Sequence, residues 1–460
     1  MKINLPIKVS QIIEELNASG FDAYAVGGCV RDSLLGRKPE DWDITTSANP
    51  YQVKTIFPRT VDTGIQHGTV TVMFGKEGFE VTTYRVDGEY EDNRHPKQVE
   101  FTTQLKEDLR RRDFTINAMA YNHMVGLVDE FDGLSDLQER RVRCVGSAIE
   151  RFDEDALRIL RAVRFSAQLD FSIEEETLVA VKEKAVNLKN ISAERIREEL
   201  NKLLLSNHPK KLLVAQATGI TSIVLPEFDA MLLTEQQNHH YIYTVGRHCI
   251  EALHYFANKY PYRNDEENVK FSKKQQQIMR WALLLHDVGK LKKKSIGKDG
   301  EGHFYGHASE SADMAKAILR RLKFDNETID YVTRLIYYHD YRYEVTPAGM
   351  RKAMNRIGAD LMELLFELQI ADVMSQNPDY RLNKLDTIDK ARSLYYEIVS
   401  QQHCVSLKTL AISGSDLISI GFQPGKEIGM KLNSLLELVI EHPELNKKDT
   451  LMQLAMKRDK

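Results

Sequence analysis

Asp41 and Asp43 flank Trp42, so on an extended strand their carboxylates share one face while Trp42 and Ile44 take the other. Two acids on one face repel each other unless a cation sits between them. Mg²⁺ suits that place, being a hard ion held by one or two carboxylates together with a substrate's phosphates. Upstream, the apolar run Tyr24-Ala25-Val26 meets Gly27-Gly28, a turn where backbone can approach a ligand with no Cβ in the way. A helix starting there would aim its first amides, with Arg31 beside them, at a phosphate. Glu80, near the start of a later strand, is a candidate third carboxylate. The segment LRRRDFTINAMAYN (109–122) places Arg111 and Arg112 to meet a triphosphate, with Asp113 and Asn117 as polar anchors. Asp113 also reads as the N-cap of a helix running into the apolar stretch that follows.

A second group of candidates lies in the other half of the chain. His248, the adjacent pair His286-Asp287 and Asp372 all fall in helical patterns, and such a set can converge as a mixed N/O site for a divalent transition metal. His307 and His339 are further candidates, for a second metal or a phosphate.

These residues need elements to hold them. Ile7 to Ser19 has helical apolar spacing and ends at Gly20. Strand patterns follow at Ala23–Val26, Trp42–Thr45, Thr69–Phe74, Phe79–Thr83 and Val128–Phe131, with Gly75 to Gly78 as a turn between two of them. This predicts an α+β head with a small mixed sheet. Beyond Asp136 helical periodicity takes over, which divides the chain into a head (1–140), a helical neck (141–210), a helical body (211–385) and a helical tail (386–460). In FDEDALRILRAVRF (152–165), Ala156, Leu157, Leu160 and Val163 form a core stripe, while Glu154 and Asp155 are spaced to hold Arg158.

A net charge of −4 excludes a uniformly basic nucleic-acid coat, so RNA contact would fall to local patches such as Arg110 to Arg112, Lys210-Lys211 and Lys292 to Lys294. The four cysteines are far apart with no C-x-x-C, which argues against a zinc knuckle or disulfide framework and for a reducing cytoplasm. No signal-like h-region or apolar run of membrane-spanning length is present, so neither secretion nor a membrane partner is expected.

GGCVRD…DWDI, followed by RRDFTINA, DEFDGLSDL, EDALR and ISAERIREEL in that order, resembles the class II tRNA nucleotidyltransferase and bacterial poly(A) polymerase family, a branch of the polymerase β superfamily. The resemblance implies a polymerase-β-like head in which Asp41 and Asp43, with Glu80, serve catalysis and Mg²⁺ binding. It implies Gly27, Gly28, Arg31, Arg111, Arg112, Asp113 and Asn117 as nucleotide-binding residues. It further implies that Glu154, Asp155, Arg158 and Arg161 replace a template. Cytosine and adenine both offer an amino donor beside a ring-nitrogen acceptor, which Asp155 and Arg158 can pair with, whereas uracil and guanine would leave groups unpaired. The expected partners are therefore tRNA, CTP and ATP, and the expected reaction is addition of CCA to the tRNA 3′ end. No Gly-basic-basic-Phe signature of poly(A) polymerases occurs near Thr63 to Val70, and Tyr84–Val99 resembles the flexible loop that CC-only members shorten. An A-adding or poly(A)-forming member stays as an alternative. The set H…HDVGK…GH…H…D resembles the HD phosphohydrolases, which implies a divalent metal and phosphatase or 2′,3′-cyclic phosphodiesterase activity, or, as another alternative, an HD phosphohydrolase whose head only binds nucleotide or RNA. LAISGSDLISIGFQPGKEIGMKLNSLLELVIEHPELN is similar to the C-terminal segment of CCA-adding enzymes.

Overall fold

A computed structural model describes residues 2–88, 99–262, 269–298 and 300–456. It divides into two compact units: residues 1–229 with 261–270, and residues 230–260 with 271–460.

The first unit opens with the helix Ile7–Ala18, which buries Val9, Ile12, Ile13 and Leu16 on one stripe and ends where Gly20 turns at positive φ. Its sheet has strands β1 (Ala23–Val26), β2 (Ile44–Thr46), β3 (Thr60–Gly64), β4 (Thr69–Phe74) and β5 (Glu77–Thr83). The pair β6 (Arg85–Asp87) and β7 (Val99–Phe101) stands apart, and β8 (Met119–Asn122) and β9 (Gly126–Asp129) complete the sheet. The strand order is β3-β4-β5-β2-β1-β8-β9. Within this sheet, among the described residues, only β2 and β5 run parallel, with Ile44 opposite Val81.

Three expectations need correction. Asp41, Trp42 and Asp43 precede β2 and are not in it; only the Asp43 carbonyl continues the ladder, accepting the Val26 N–H at 3.0 Å. The apolar run after Asn117 is strand β8, not helix, and Asp113 caps nothing. All four residues of β8 are buried between β1 and β9, and a strand covered on both faces has the same unbroken apolar pattern as a buried helix. Third, FDEDALRILRAVRF breaks at Asp155 into helices Ala148–Glu154 and Leu157–Leu169. The expected flexible loop over Tyr84–Val99 is described only at its ends, which pair as β6 and β7; residues 89–98 lie outside the described residues.

The neck packs Leu157–Leu169 against Ala193–Leu205, and each helix turns a stripe of Ile, Leu and Val inward. Phe165 and Phe114 meet edge to face at 5.7 Å, joining neck to head inside this unit. In the second unit, Val245–Lys259, Lys273–Leu285, Asn326–Tyr338 and Met362–Met374 surround a core containing the fully buried Trp281. The tail helices Gly414–Ser419, Lys426–Glu441 and Lys448–Met456 close their own cluster around Leu417, Leu435, Val439 and Leu451.

Candidate functional site

In the first unit the parallel register that sets Ile44 against Val81 sets Asp43 beside Glu80. Asp43 is solvent-exposed yet crowded. Burial by surrounding protein pushes its carboxyl above the usual range, the charges of Glu80 and Asp41 push the same way, and Arg112 opposes them. Two acids that raise the cost of ionising a third, with Arg112 opposing them, make an arrangement that a divalent cation would relieve.

Gly27 is at φ +80°, and a Cβ there would stand 3.0 Å from Arg112 Nη1. The glycine thus lets this guanidinium lie across the turn. Arg112 Nη2 reaches buried Asp108 at 3.3 Å, and its Nε is buried with no hydrogen-bond partner. Arg111 is spent differently: its Nε and Nη2 grip Asp108 Oδ1 at 2.9 and 2.6 Å, while Thr45 Oγ1 donates to the other oxygen. Burial alone would raise Asp108, and the two arginines overcome it and hold the carboxyl low. Of the two expected triphosphate contacts, Arg112 faces the acids and Arg111 is a structural partner.

Arg31 is likewise turned inward. It donates to Asn117 Oδ1 at 2.5 Å and forks onto Asp32 through two bonds of 2.9 Å. Asn117 passes the chain on to Asp113 at 3.0 Å, and Asp113 receives Arg161 through bonds of 2.8 and 2.5 Å. Burial would raise Asp113, but Arg161 and Asn117 drive it well below the usual carboxylate range. Arg161 then approaches Glu199, which also pairs with Arg164 at 2.6 Å. Burial lowers Arg164 to about 10 against the pull of Glu199. Arg31, Arg161 and Arg164 all place their guanidinium carbons over Phe165, at 5.0, 5.5 and 3.6 Å. One network therefore runs from the glycine turn through RRDFTINA to both neck helices.

The expected template residues divide. Glu154 holds Arg158 at 2.5 Å and also takes Arg151, whereas Asp155 meets Arg158 through the backbone, its carbonyl accepting the Arg158 N–H at 3.0 Å. Asp155 accepts the Leu157 N–H at 3.0 Å and Arg195 Nη2 at 2.8 Å. Asp155 sits in the break between two helices, so the i,i+3 spacing assumed for one continuous helix does not apply. Arg195 accordingly pairs with Asp155 and not with Glu199, and Ser192 makes no side-chain cap bond. The i,i+4 spacing of Arg195 and Glu199 signals a pair within one helix, but each instead bonds to a residue outside it, Asp155 and Arg164.

The second unit brings all six of its expected ligands together. His248 Nε2 lies 2.8 Å from Asp372, 3.2 Å from His286 Nε2 and 3.5 Å from Asp287. His286 Nε2 is 3.4 Å from Asp287. On the other side of Asp287, His307 and His339 approach its Oδ1 at 3.4 and 3.6 Å, with their own Nε2 atoms 3.2 Å apart. Each imidazole is aimed by its other nitrogen: Nδ1 meets the carbonyls of Leu283, Phe304 and Ile336 in His286, His307 and His339, and Ser375 Oγ in His248. That leaves four Nε2 atoms facing inward, the arrangement by which outer partners orient metal-binding histidines. Asp287 Oδ1 is buried without a hydrogen-bond partner, and burial's tendency to raise this carboxyl is overcome by Lys290 and His286. Two sets, His248/His286/Asp287 and Asp287/His307/His339, are compact enough to hold an ion each, sharing Asp287. The donor set fits divalent transition metals.

Gly289 makes this closeness possible, since a Cβ there would stand 2.4 Å from the Ser311 amide nitrogen. Its absence lets helix His307–Arg321 approach until Ser311 Oγ accepts the Gly289 N–H at 2.8 Å. Lys290 was not among the expected residues, although its position three after Asp287 in HDVGK is a signal; its ammonium is buried 2.7 Å from Asp287 and 2.7 Å from Gln236.

The basic triplets are mostly consumed internally: Arg110 pairs with Glu107, and Lys292 and Lys293 pair with Glu310. All four cysteines are buried and unpaired. Among the described residues no helix is long and apolar enough to cross a membrane.

Comparison with known proteins decides the family. Residues 23–143 match the poly A polymerase head domain, 170–232 the probable RNA and SrmB-binding site of polymerase A, and 304–455 a putative tRNA nucleotidyltransferase domain 2. The chain is 34% identical over 450 residues to the CCA-adding enzyme of Lactococcus lactis subsp. cremoris, covering 97% of this chain and 95% of that protein. The chain belongs to the CCA-adding enzyme family. The CCA-adding enzyme of Lactobacillus helveticus is 35% identical over 445 residues, with 97% and 95% covered. The crystal structure of the Bacillus stearothermophilus CCA-adding enzyme in complex with CTP superposes with a TM-score of 0.70 at 27% identity, covering 99% of this chain and 98% of that one. As a family member the protein is a nucleotidyltransferase, with the polymerase-β-like head and helical body read from its sequence, and such enzymes need a divalent metal.

Proposed function

We propose that this protein adds and repairs the 3′-terminal CCA of tRNA from CTP and ATP, releasing pyrophosphate, with Asp41 and Asp43 holding Mg²⁺ and Glu80 as third acid. The observation that supports this most is the crowding of Asp43 by Glu80 and Asp41 opposite Arg112, directly beside the Gly27 turn. Bound there, the metal would lower the charge barrier to attack by the tRNA 3′-hydroxyl on the α-phosphate. The protein's own part is positional. Arg112, bonded to Asp108 only through Nη2 and with its Nε unpartnered, is the arginine placed to meet the triphosphate, and Gly27 keeps a Cβ away from its Nη1. Arg31, Asn117, Asp113 and Arg161 act one layer behind, fixing the turn to the neck.

Base choice rests on Glu154, Asp155 and Arg158. Glu154 aims the Arg158 guanidinium, and Asp155 must exchange Arg195 for the amino group of cytosine or adenine. Uracil and guanine would place a carbonyl against the carboxylate, leaving both unpaired. In the second unit the six-ligand cage supports a further metal-dependent phosphohydrolase activity on phosphate monoesters or 2′,3′-cyclic phosphates. The buried thiols suit a reducing cytoplasm.

The test uses tRNA transcripts ending before CCA, after one C and after two Cs, each incubated with one NTP. CCA addition requires CTP to extend the first two and ATP the third, with UTP and GTP inert. Extension of the CC-ended transcript alone would make the protein an A-adding enzyme.

A further inference from the structure

Two lysines beside the histidine cage are treated in opposite ways. Lys290 is fully buried and satisfied: Asp287 and Gln236 each lie 2.7 Å from its ammonium, with the Tyr241 ring at 4.1 Å. Lys384 is half-buried on helix Arg381–Ser400, and among the described residues it makes no ion pair. Its ammonium donates to a neutral acceptor, the Gln376 Oε1 at 2.6 Å. Gln376 is itself buried and donates through Nε2 to Asp372 Oδ1 at 3.1 Å, so Lys384 stands two hydrogen bonds from a cage ligand. The exposed Arg342 adds a second positive charge near it.

A half-buried ammonium next to an amide oxygen has lost water without gaining a direct ion pair. Burial lowers the Lys384 pKa, the positive charges of Lys290 and Arg342 lower it further, and Asp372 and Asp340 oppose this. An anion at this edge of the cage would reverse the balance. Nearby, His240 and Tyr380 pack their rings at 4.8 Å, and Asn377 ties the segment down by donating to the His240 carbonyl at 2.9 Å. The cage edge thus has a cation without a counter-ion on a braced wall.

We infer that Lys384, assisted by Arg342, is the anchor for the phosphoryl group of the cage's substrate, held through Gln376 at a fixed position relative to Asp372. The substrate class this selects is a terminal or cyclic phosphate ester, whose non-bridging oxygens accept charge-assisted bonds while the phosphorus faces the histidines. The inference rests on the reading of the cage as a metal site.

Isothermal titration separates the two claims. The full-length protein is titrated with Mn²⁺, Co²⁺ and Ni²⁺, and the metal-loaded protein is then titrated with inorganic phosphate. Lys384→Met is expected to bind metal as the wild type does but to weaken phosphate binding by about tenfold or more, with Lys384→Arg recovering most of it. CTP incorporation into tRNA stays unchanged in Lys384→Met, which shows that the chain is folded. If metal binds and phosphate affinity is the same in wild type and Lys384→Met, or if the loaded wild type binds no phosphate, the anchor is wrong while the metal reading stands. If none of the three metals binds, or binding is unaltered in His286→Ala/Asp287→Ala, the metal reading fails and the anchor with it.

Discussion

The two candidate sites differ in how complete they are without ligands. In the head, Asp41 and Asp43 sit on an exposed approach to β2, and Arg111 and Arg161 nearby bond to the buried carboxylates of Asp108 and Asp113. In the second unit, His248, His286 and Asp287 are buried, each imidazole already oriented by an outer acceptor or hydroxyl. The contrast follows from what each must do. A site that accepts different nucleotides and a growing RNA end must leave room and let bonds exchange, whereas a cage for ions is best built in advance.

The largest separation of the two should come from His286→Ala/Asp287→Ala. Metal affinity in the second unit is expected to fall by about 100-fold or more, while CTP and ATP incorporation stays within experimental error. A parallel loss of incorporation would show that the sites are not independent.

Next comes Asp113→Asn, which leaves the half-buried Arg161 against a neutral partner and should cost about 2 kcal/mol in chemical denaturation. Because the folded Asp113 pKa is depressed, its contribution is present above the unfolded value of about 3.9 and is lost as pH falls through the folded pKa. The variant's stability should therefore decline less steeply than the wild type's below about pH 4. An equally steep acid limb would mean that Asp113 is not the group titrating.

Smaller still is Glu80→Gln, for which incorporation is expected to fall about tenfold with metal binding in the second unit unchanged. The smallest effect belongs to Arg195→Ala. It releases Asp155 from a partly exposed ion pair, so stability should drop by about 1 kcal/mol or less, and the KM for CTP should not rise. A raised KM would make Arg195 part of the nucleotide site.

What could be read from the sequence follows the same contrast. Strands β1 and β4, the Gly75 turn and the first helix were legible because short-range patterns determine them. The convergence of His248, His286, Asp287, His307, His339 and Asp372 was legible as a possibility because histidines and acids recur in apolar helical patterns. Strand β8 was not, because a strand buried on both faces loses its alternation. The pairing of Asp155 with Arg195, and of Glu199 with Arg164, was hidden because these contacts join helices far apart in the chain. Arg31 and Arg111 read as phosphate ligands by type, while their bonds to Asn117 and to buried Asp108 could not be read from the sequence. An arginine's partner is set by tertiary packing and not by its neighbours in sequence.

The account's central claim is that the exposed acid pair of the head, and not the buried cage, carries nucleotide addition. The direct measurement is CTP and ATP incorporation into a tRNA transcript lacking CCA by Asp41→Ala/Asp43→Ala, with metal binding in the second unit followed on the same preparation. Incorporation falling by about 10³-fold or more with the second unit's metal binding intact is the predicted result. Incorporation that persists near the wild-type rate would contradict it.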